Sequence, residues 1–356
     1  MVLPETITED ILSRLDVKSI LRSKSVCKTW CHLISTLRFQ QLHRSRSGNH
    51  PLFLYRSTQF FYNPLPHHPF SYAFVSVDAS GAVRSRFTVK VDDPIKLLVS
   101  SSCGLVCFAS QFCIYVCNPA TRQILELPPC PPRTSIAGFG FGYLDSINGC
   151  KVVRFISHGS RGRIECSVAT LSAANYPTSW RVLNEGCPYL VEEFNYPVLV
   201  NDHIYWKIDR KTTHQPLRRS NDYILCFNLR QEKFSVVTHP PDWRDDGNSL
   251  HLADLGGMLC MVEITSSQVV VWMLKDHRSS FWYKGGLIAI QGIIDRRLIG
   301  EVKGLKNGEI IFSSFANILL FYDTKKKTFR HVKLPFRSSE FGIYWETLFF
   351  PRINNS

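Results

Sequence analysis

Nowhere in the 356 residues does an apolar run approach the length of a membrane-spanning helix, which needs about 20 residues. The longest runs, such as Val269-Val270-Val271-Trp272-Met273-Leu274, fall far short. No lysine or arginine stands between Met1 and Asp10, which carry Glu5 and Glu9, so the basic start of a secretory signal is missing. The chain contains no HExxH, no GxSxG and no GxxxxGK followed by Ser or Thr, which removes the simplest zinc-protease, serine-hydrolase and P-loop readings. After position 50, no stretch of ten residues carries a clean helical stripe. These absences describe a soluble, non-secreted chain, expected in the nucleus, the cytoplasm or both.

What remains is ordinary globular material. Hydrophobic residues make up 44% and charged residues 20%, and a chain of this size buries roughly three-quarters of its unfolded surface, so whole-chain disorder is excluded. Twelve cysteines are scattered along it. The close pairs Cys27/Cys31, Cys103/Cys107 and Cys113/Cys117 lack a second pair at zinc-site spacing. Reduced thiols acting as small hydrophobes are expected, with no metal. The formal charge is +13, which suits nucleic acid, an anionic surface or an acidic protein. The charge is dispersed, however. Its densest clusters, Lys325-Lys326-Lys327 and Arg218-Arg219, are short, so charge alone does not choose a partner.

The chain changes character near residue 47. Thr6 and Glu9 form a capping-box pattern for a helix start. Ile11, Leu12 and Leu15 make an apolar stripe, Asp16 interrupts it, and Val17, Ile20 and Leu21 begin a second helical pattern. Val26, Trp30, Leu33 and Ile34 give a third. Such short helices carry little core of their own and need something to pack on. Past Ser47 the period becomes two. Six segments share one form, a strand, a polar turn and a return strand: Phe74–Asp78, Ile114–Asn118, Val168–Ser172, Ile224–Asn228, Val270–Lys275 and Leu319–Asp323. Their turn residues are spaced by 40, 54, 56, 47 and 48 positions. A period near 50 with several short strands per unit predicts a kelch-like β-propeller of about six blades. A large β-sandwich also has frequent strands but no reason to repeat a whole hairpin. The expected organisation is therefore an all-α region over 1–47 and an all-β propeller over 48–356, the ring borrowing a strand from either end to close.

Particular residues carry a family resemblance. Leu3-Pro4, Ile11-Leu12, Leu15, Val17-Lys18-Ser19, Leu21-Arg22, Val26-Cys27-Lys28, Trp30, Leu33-Ile34 and Phe39 together resemble an F-box. The β region is similar to the F-box-associated domains of plant-type F-box proteins. Ser102-Cys103-Gly104-Leu105-Val106-Cys107, Asn118-Pro119-Ala120-Thr121-Arg122 and Gly140-Phe141-Gly142-Tyr143 leading to Lys151-Val152-Val153 support this. The resemblance implies the substrate-recognition subunit of an SCF-type ubiquitin ligase. Its F-box would dock on a Skp-type adaptor, and through it on cullin and RING subunits. The implied adaptor-binding residues are Leu3, Pro4, Ile11, Leu12, Leu15, Val17, Leu21, Val26, Cys27, Trp30, Leu33 and Ile34. Residues 1–47 hold eight Lys and Arg against four Asp and Glu, a basic rim suited to the acidic adaptor that the family uses. The opposing reading is that Leu12, Leu15 and Trp30 simply pack the helices on the β region.

No catalytic residue, cofactor or metal site is expected. Gly138, Gly140 and Gly142 alternate with Phe139 and Phe141, a glycine-rich strand and not a phosphate cradle. His67-His68, His158, His203 and His214 form no constellation, and Asp242, Asp245 and Asp246 beside Trp243 read as a polar turn. Two rival classes each lack their own required feature. A helix-turn-helix nucleic-acid binder needs polar, base-reading side chains on its second helix, where Cys27–Ser35 offers Trp30, Leu33 and Ile34. A propeller oxidoreductase or lyase needs a metal or radical site. A propeller scaffold unconnected with ubiquitin is the remaining alternative. For target capture, three long inter-strand segments stand out by their aromatic and basic residues. They contain Tyr62 and His67, then Arg210, Arg218 and Arg219, then Trp243 and Arg244, and they suit an acidic partner protein.

Overall fold

A strand covered on both faces has no need to alternate with polar residues, and this explains the unbroken apolar runs of the second region. The computed structural model describes residues 4–47, 51–62, 69–95, 97–158, 164–172, 179–184, 186–187, 189–192, 196–209, 222–241, 243, 249–314, 316–335 and 338–351. It folds the runs into six four-stranded antiparallel sheets. Blade 1 holds β1 (Leu52–Tyr62), β2 (Phe70–Val77) and β3 (Val83–Val91); blade 2 holds β4 (Leu97–Ser102), β5 (Leu105–Ala109), β6 (Ile114–Asn118) and β7 (Gln123–Glu126). Blade 3 comprises β8 (Ser135–Leu144), β9 (Gly149–Ser157), β10 (Ile164–Ser172) and β11 (Arg181–Val182). Blade 4 comprises β12 (Val198–Val200), β13 (His203–Lys207), β14 (Asp222–Asn228) and β15 (Lys233–Thr238). Blade 5 is built from β16 (Ser249–Asp254), β17 (Leu259–Ile264), β18 (Gln268–Asp276) and β19 (Phe281–Ala289). Blade 6 is built from β20 (Val302–Lys306), β21 (Glu309–Phe312), β22 (Ile318–Asp323) and β23 (Thr328–Lys333). The last strand, β24 (Ser338–Tyr344), returns to blade 1 and pairs with β1, Phe53 opposite Ile343.

Alternate residues of one strand serve two interfaces. In β5, Leu105, Cys107 and Ala109 pack toward blade 3, while Val106 and Phe108 pack toward blade 1. In β22, Leu320 and Tyr322 face blade 5, and Leu319 and Phe321 face blade 1. Each gap between neighbouring blades is filled by one hydrophobic cluster, including the gap between blades 6 and 1. The ring is closed. It is a six-bladed β-propeller, as the 50-residue period predicts, and not a sandwich.

The six hairpins that repeat in the sequence are the two outer strands of the six blades. Blade 1 takes its innermost strand from the other end of the chain, which is why its sequence unit is weakly marked. The repeated turn has a chemical cause. Asp78, Asn118, Asn228, Asp276 and Asp323 each accept hydrogen bonds on a side-chain oxygen from amides two to four residues ahead. The glycines of β8 have a packing cause. A Cβ on Gly138 would come within 2.7 Å of Val191, and one on Gly142 within 2.5 Å of Leu229. The alternating glycines therefore let blade 4 approach closely, and Trp206 Nε1 donates to the Phe139 carbonyl at 3.0 Å. Buried Lys151 ties the same two blades together, reaching the Leu229 carbonyl at 2.8 Å and Glu232 at 2.6 Å.

Four helices precede the ring: α1 (Glu5–Leu12), α2 (Val17–Ser23), α3 (Lys28–Ser35) and α4 (Leu37–Ser47). The capping box expected at Thr6 and Glu9 does not form. Extended Pro4 starts the helix immediately before Glu5, leaving Thr6 inside the first turn, and Glu9 instead accepts from Arg38 at 3.1 Å. Asp16, which breaks the stripe in the sequence, caps α2 by accepting from Ser19 N at 2.7 Å. The Cys27 thiol takes the same place for α3, at 3.4 Å from Trp30 N. α4 shows no stripe because most of its residues are polar, yet Phe39 and His43 are buried.

Among the capping residues, Asn118 has a second task, holding the segment that follows β24. Its buried amide donates to the Thr347 and Phe349 carbonyls, both at 2.9 Å. Asn118→Ala leaves buried donors and acceptors unpaired and should cost about 2–4 kcal/mol. Asp323→Ala, at the equivalent turn of blade 6, should cost about 1 kcal/mol or less. Equal losses of unfolding free energy in urea would contradict the assignment.

Candidate functional site

Helices of seven to eleven residues cannot enclose a core of their own, and these four borrow one from the far end of the chain. Leu12, Val17, Ile20, Leu33, Ile34 and Phe39 surround Leu348, which lies four residues beyond β24. The Glu346 carboxyl stands by the Val17 amide at the start of α2, and burial pushes its pKa above the ordinary carboxylate value. Residues 345–349 lie along blade 2 at the β4–β5 turn, where a Cβ on Gly104 would stand 2.5 Å from both Thr347 Cγ2 and the Trp345 carbonyl. Gly104 also has φ +74, so a glycine is required there on two counts.

A second anchor comes from α4. Arg44 donates to Asp145 at 2.6 Å and to the Cys103 thiol at 3.2 Å, and its guanidinium lies 4.2 Å from the centre of the Tyr143 ring. Tyr143 in turn packs edge-on against Phe349. Arg46 joins α4 to α1 through Asp10 at 2.7 Å. Hydrogen bonds from Arg14 and Arg46 hold the Asp10 carboxyl below its ordinary range. The helices thus sit over blades 2 and 3, on the face formed by the β4–β5 and β8–β9 turns.

The buried side of the helices being occupied, their outer side carries the exposed apolar residues. Ile7, Ile11 and Leu15 follow at i, i+4 and i+8 and are 46%, 48% and 37% exposed; Val26 is 63% exposed. Pro4 and Cys27 are also exposed. The twelve residues singled out in the sequence therefore divide by place. Leu12, Val17, Leu33 and Ile34 form the helical core, Leu21 and Trp30 flank it, and Pro4, Ile11, Leu15, Val26 and Cys27 face outward. Leu3 lies outside the described residues. Sequence reading missed Ile7, although its spacing from Ile11 signals the stripe, and it missed Leu348, for which no local signal exists.

Of the residues suggested for target capture, His67, Arg210, Arg218, Arg219 and Arg244 lie outside the described residues, as does the side chain of Tyr62, whose backbone ends β1. Trp243 is described and is not a surface residue. Only 7% exposed, it packs in the cluster between blades 4 and 5, its ring edge-on to His239. Its place in a Pro-bounded loop suggested exposure; the gap between blades is simply wide enough at the outer edge to take an indole. The acidic residues Asp242, Asp245 and Asp246 lie outside the described residues, and no group of metal-ligating side chains occurs among the described ones.

A helical unit with exposed apolar residues, fixed on a propeller, defines a two-part architecture. Family comparison gives the class its name: the chain matches the F-box domain over residues 2–42 and the F-box associated beta propeller domain over residues 51–342. It belongs to the F-box proteins that carry an F-box associated propeller. Similar proteins include F-box protein At5g49610 of Arabidopsis thaliana, 25% identical over 352 residues, covering 92% of this chain and 90% of the relative. Another is F-box protein At5g18160 of the same plant, 28% identical over 352 residues, covering 93% and 82%. The arrangement is that of SCF substrate receptors, the F-box implies binding of a Skp-type adaptor, and F-box proteins are generally non-catalytic adaptor subunits.

The division between core and outer face is measurable. Leu12→Ala should cost about 2–4 kcal/mol of helical stability through the cavity it leaves. Ile11→Ala, one position away, should change it by about 0.5 kcal/mol or less. Hydrogen exchange of the α1–α3 amides would show the difference, and equal effects would refute the division.

Proposed function

We propose that this chain is the substrate-recognition subunit of an SCF-type E3 ubiquitin ligase, acting in the nucleus, the cytoplasm or both. The helices dock on a Skp-type adaptor, which brings the cullin and RING subunits, while the propeller holds a target protein for ubiquitination. The observation that carries this reading is the exposed stripe of Ile7, Ile11 and Leu15, with Val26 also exposed, on helices whose inner side is already filled. An exposed apolar stripe on helices that already have a core supports a protein interface. The chain itself performs no chemistry in this role. It positions a target relative to the transfer machinery, and the joint of Leu348, Asn118 and Arg44 supports a fixed distance between the two.

Target capture is assigned to the face away from the helices. The strand ends that bracket the three long segments, Tyr62 and Phe70, Asp209 and Asp222, Pro241 and Ser249, lie at the end of the sheets opposite the turns that meet the helices. Their basic residues suit an acidic partner protein, and buried Trp243 takes no part in the contact.

Ile7→Asp combined with Ile11→Asp should abolish co-purification of the Skp-type adaptor, each central contact contributing about 2 kcal/mol or more. Thermal unfolding should barely change, because both side chains are exposed. One-to-one adaptor binding by the double variant would reject the reading. Replacing residues 210–219 with a Gly/Ser linker should leave adaptor binding intact and lower target ubiquitination.

A further inference from the structure

On the helix-bearing face, but over blades 4 and 5, a cavity of about 820 Å³ opens between the two sheets. It is bounded by the β12–β13, β16–β17 and β18–β19 turns, the counterparts of those that meet the helices around the ring. Its wall is aromatic. The His277 ring lies 5.3 Å from that of His203 and 5.9 Å from that of Tyr205, centre to centre. Phe281 and Tyr283 form a rim, 54% and 38% exposed.

Two features of this wall lack partners. His277 Nε2 is buried without a hydrogen-bond partner, a costly state for a polar atom unless something enters to meet it. Burial, and then the neighbouring His203, lowers the His277 pKa below the ordinary histidine value, and burial lowers that of His203. The imidazoles are therefore neutral, and His203 Nε2 already meets the Asn228 amide at 2.9 Å. Lys275 is the one charged group among the described lining residues; it is exposed and makes no ion pair among the described residues. The volume falls within the roughly 300–1,000 Å³ of small-molecule pockets, far more than one inserted protein side chain fills.

The geometry points to a binding site for a free planar aromatic small molecule that carries an anionic group. Its ring would lie against His203, Tyr205 and His277, a hydrogen-bonding atom would meet His277 Nε2, and its anion would pair with Lys275. This site is separate from the adaptor face and from the segments assigned to target capture.

The test uses the full chain and two fluorescent probes, 8-anilinonaphthalene-1-sulfonate and its uncharged counterpart N-phenyl-1-naphthylamine. Both should bind at one site per chain. Lys275→Glu should weaken the sulfonate probe about tenfold, as loss of one charged contact implies, and leave the neutral probe unchanged. Met258→Trp, which fills the cavity from its rim, should weaken both, with unfolding midpoints confirming that each variant folds. Absence of saturable binding by the full chain would overturn the proposal. So would an unchanged response of the sulfonate probe to Lys275→Glu, which alters only an exposed side chain and carries no folding risk.

Discussion

The return of the chain through β24 and the residues just beyond it is the constraint on which the two parts of the molecule depend. β24 completes blade 1, and with it the last of the six inter-blade cores. A few residues later Leu348 completes the core of the helices. One stretch of chain therefore closes the ring and seats the F-box. Asn118 holds the residues around Leu348, because its side chain caps a turn with its oxygen and grips the returning backbone with its nitrogen.

This coupling gives physical content to motifs that otherwise look arbitrary. The asparagine of Asn118-Pro119-Ala120-Thr121-Arg122 is the grip just described. Gly104 of the Ser102–Cys107 stretch leaves room for the Trp345 carbonyl and the Thr347 side chain to pass. Glycines alternating with Phe139 and Phe141 admit blade 4, and Lys151 locks the same joint. None of these residues is chemically special. Each stands where two distant parts of the chain must come within contact.

Legibility in the sequence followed the same division. The propeller was readable because its signal is local and repeated: an apolar run, a polar turn and a return strand, six times over, with the turn capped by Asp or Asn in five of them. The outward residues Ile11, Leu15 and Val26 were named from the F-box resemblance, but sequence reading could not separate them from Leu12, Val17, Leu33 and Ile34. That separation depends on Leu348, more than 300 positions away, and no periodicity spans such a distance. α4 escaped stripe analysis because Phe39 and His43 are buried within a polar helix. Trp243 read as an exposed loop anchor, since a flanking proline signals a turn but says nothing about the width of the gap beneath it.

The central claim is that the tail, and not the helices' own packing, holds the F-box in place. Hydrogen exchange measured on the full chain and on a chain ending at Tyr344 tests it most directly. The account predicts that amides of α1, α2 and α3 lose their protection in the shortened chain while the strands of blades 3 to 5 keep theirs. Helices equally protected in both chains would contradict it.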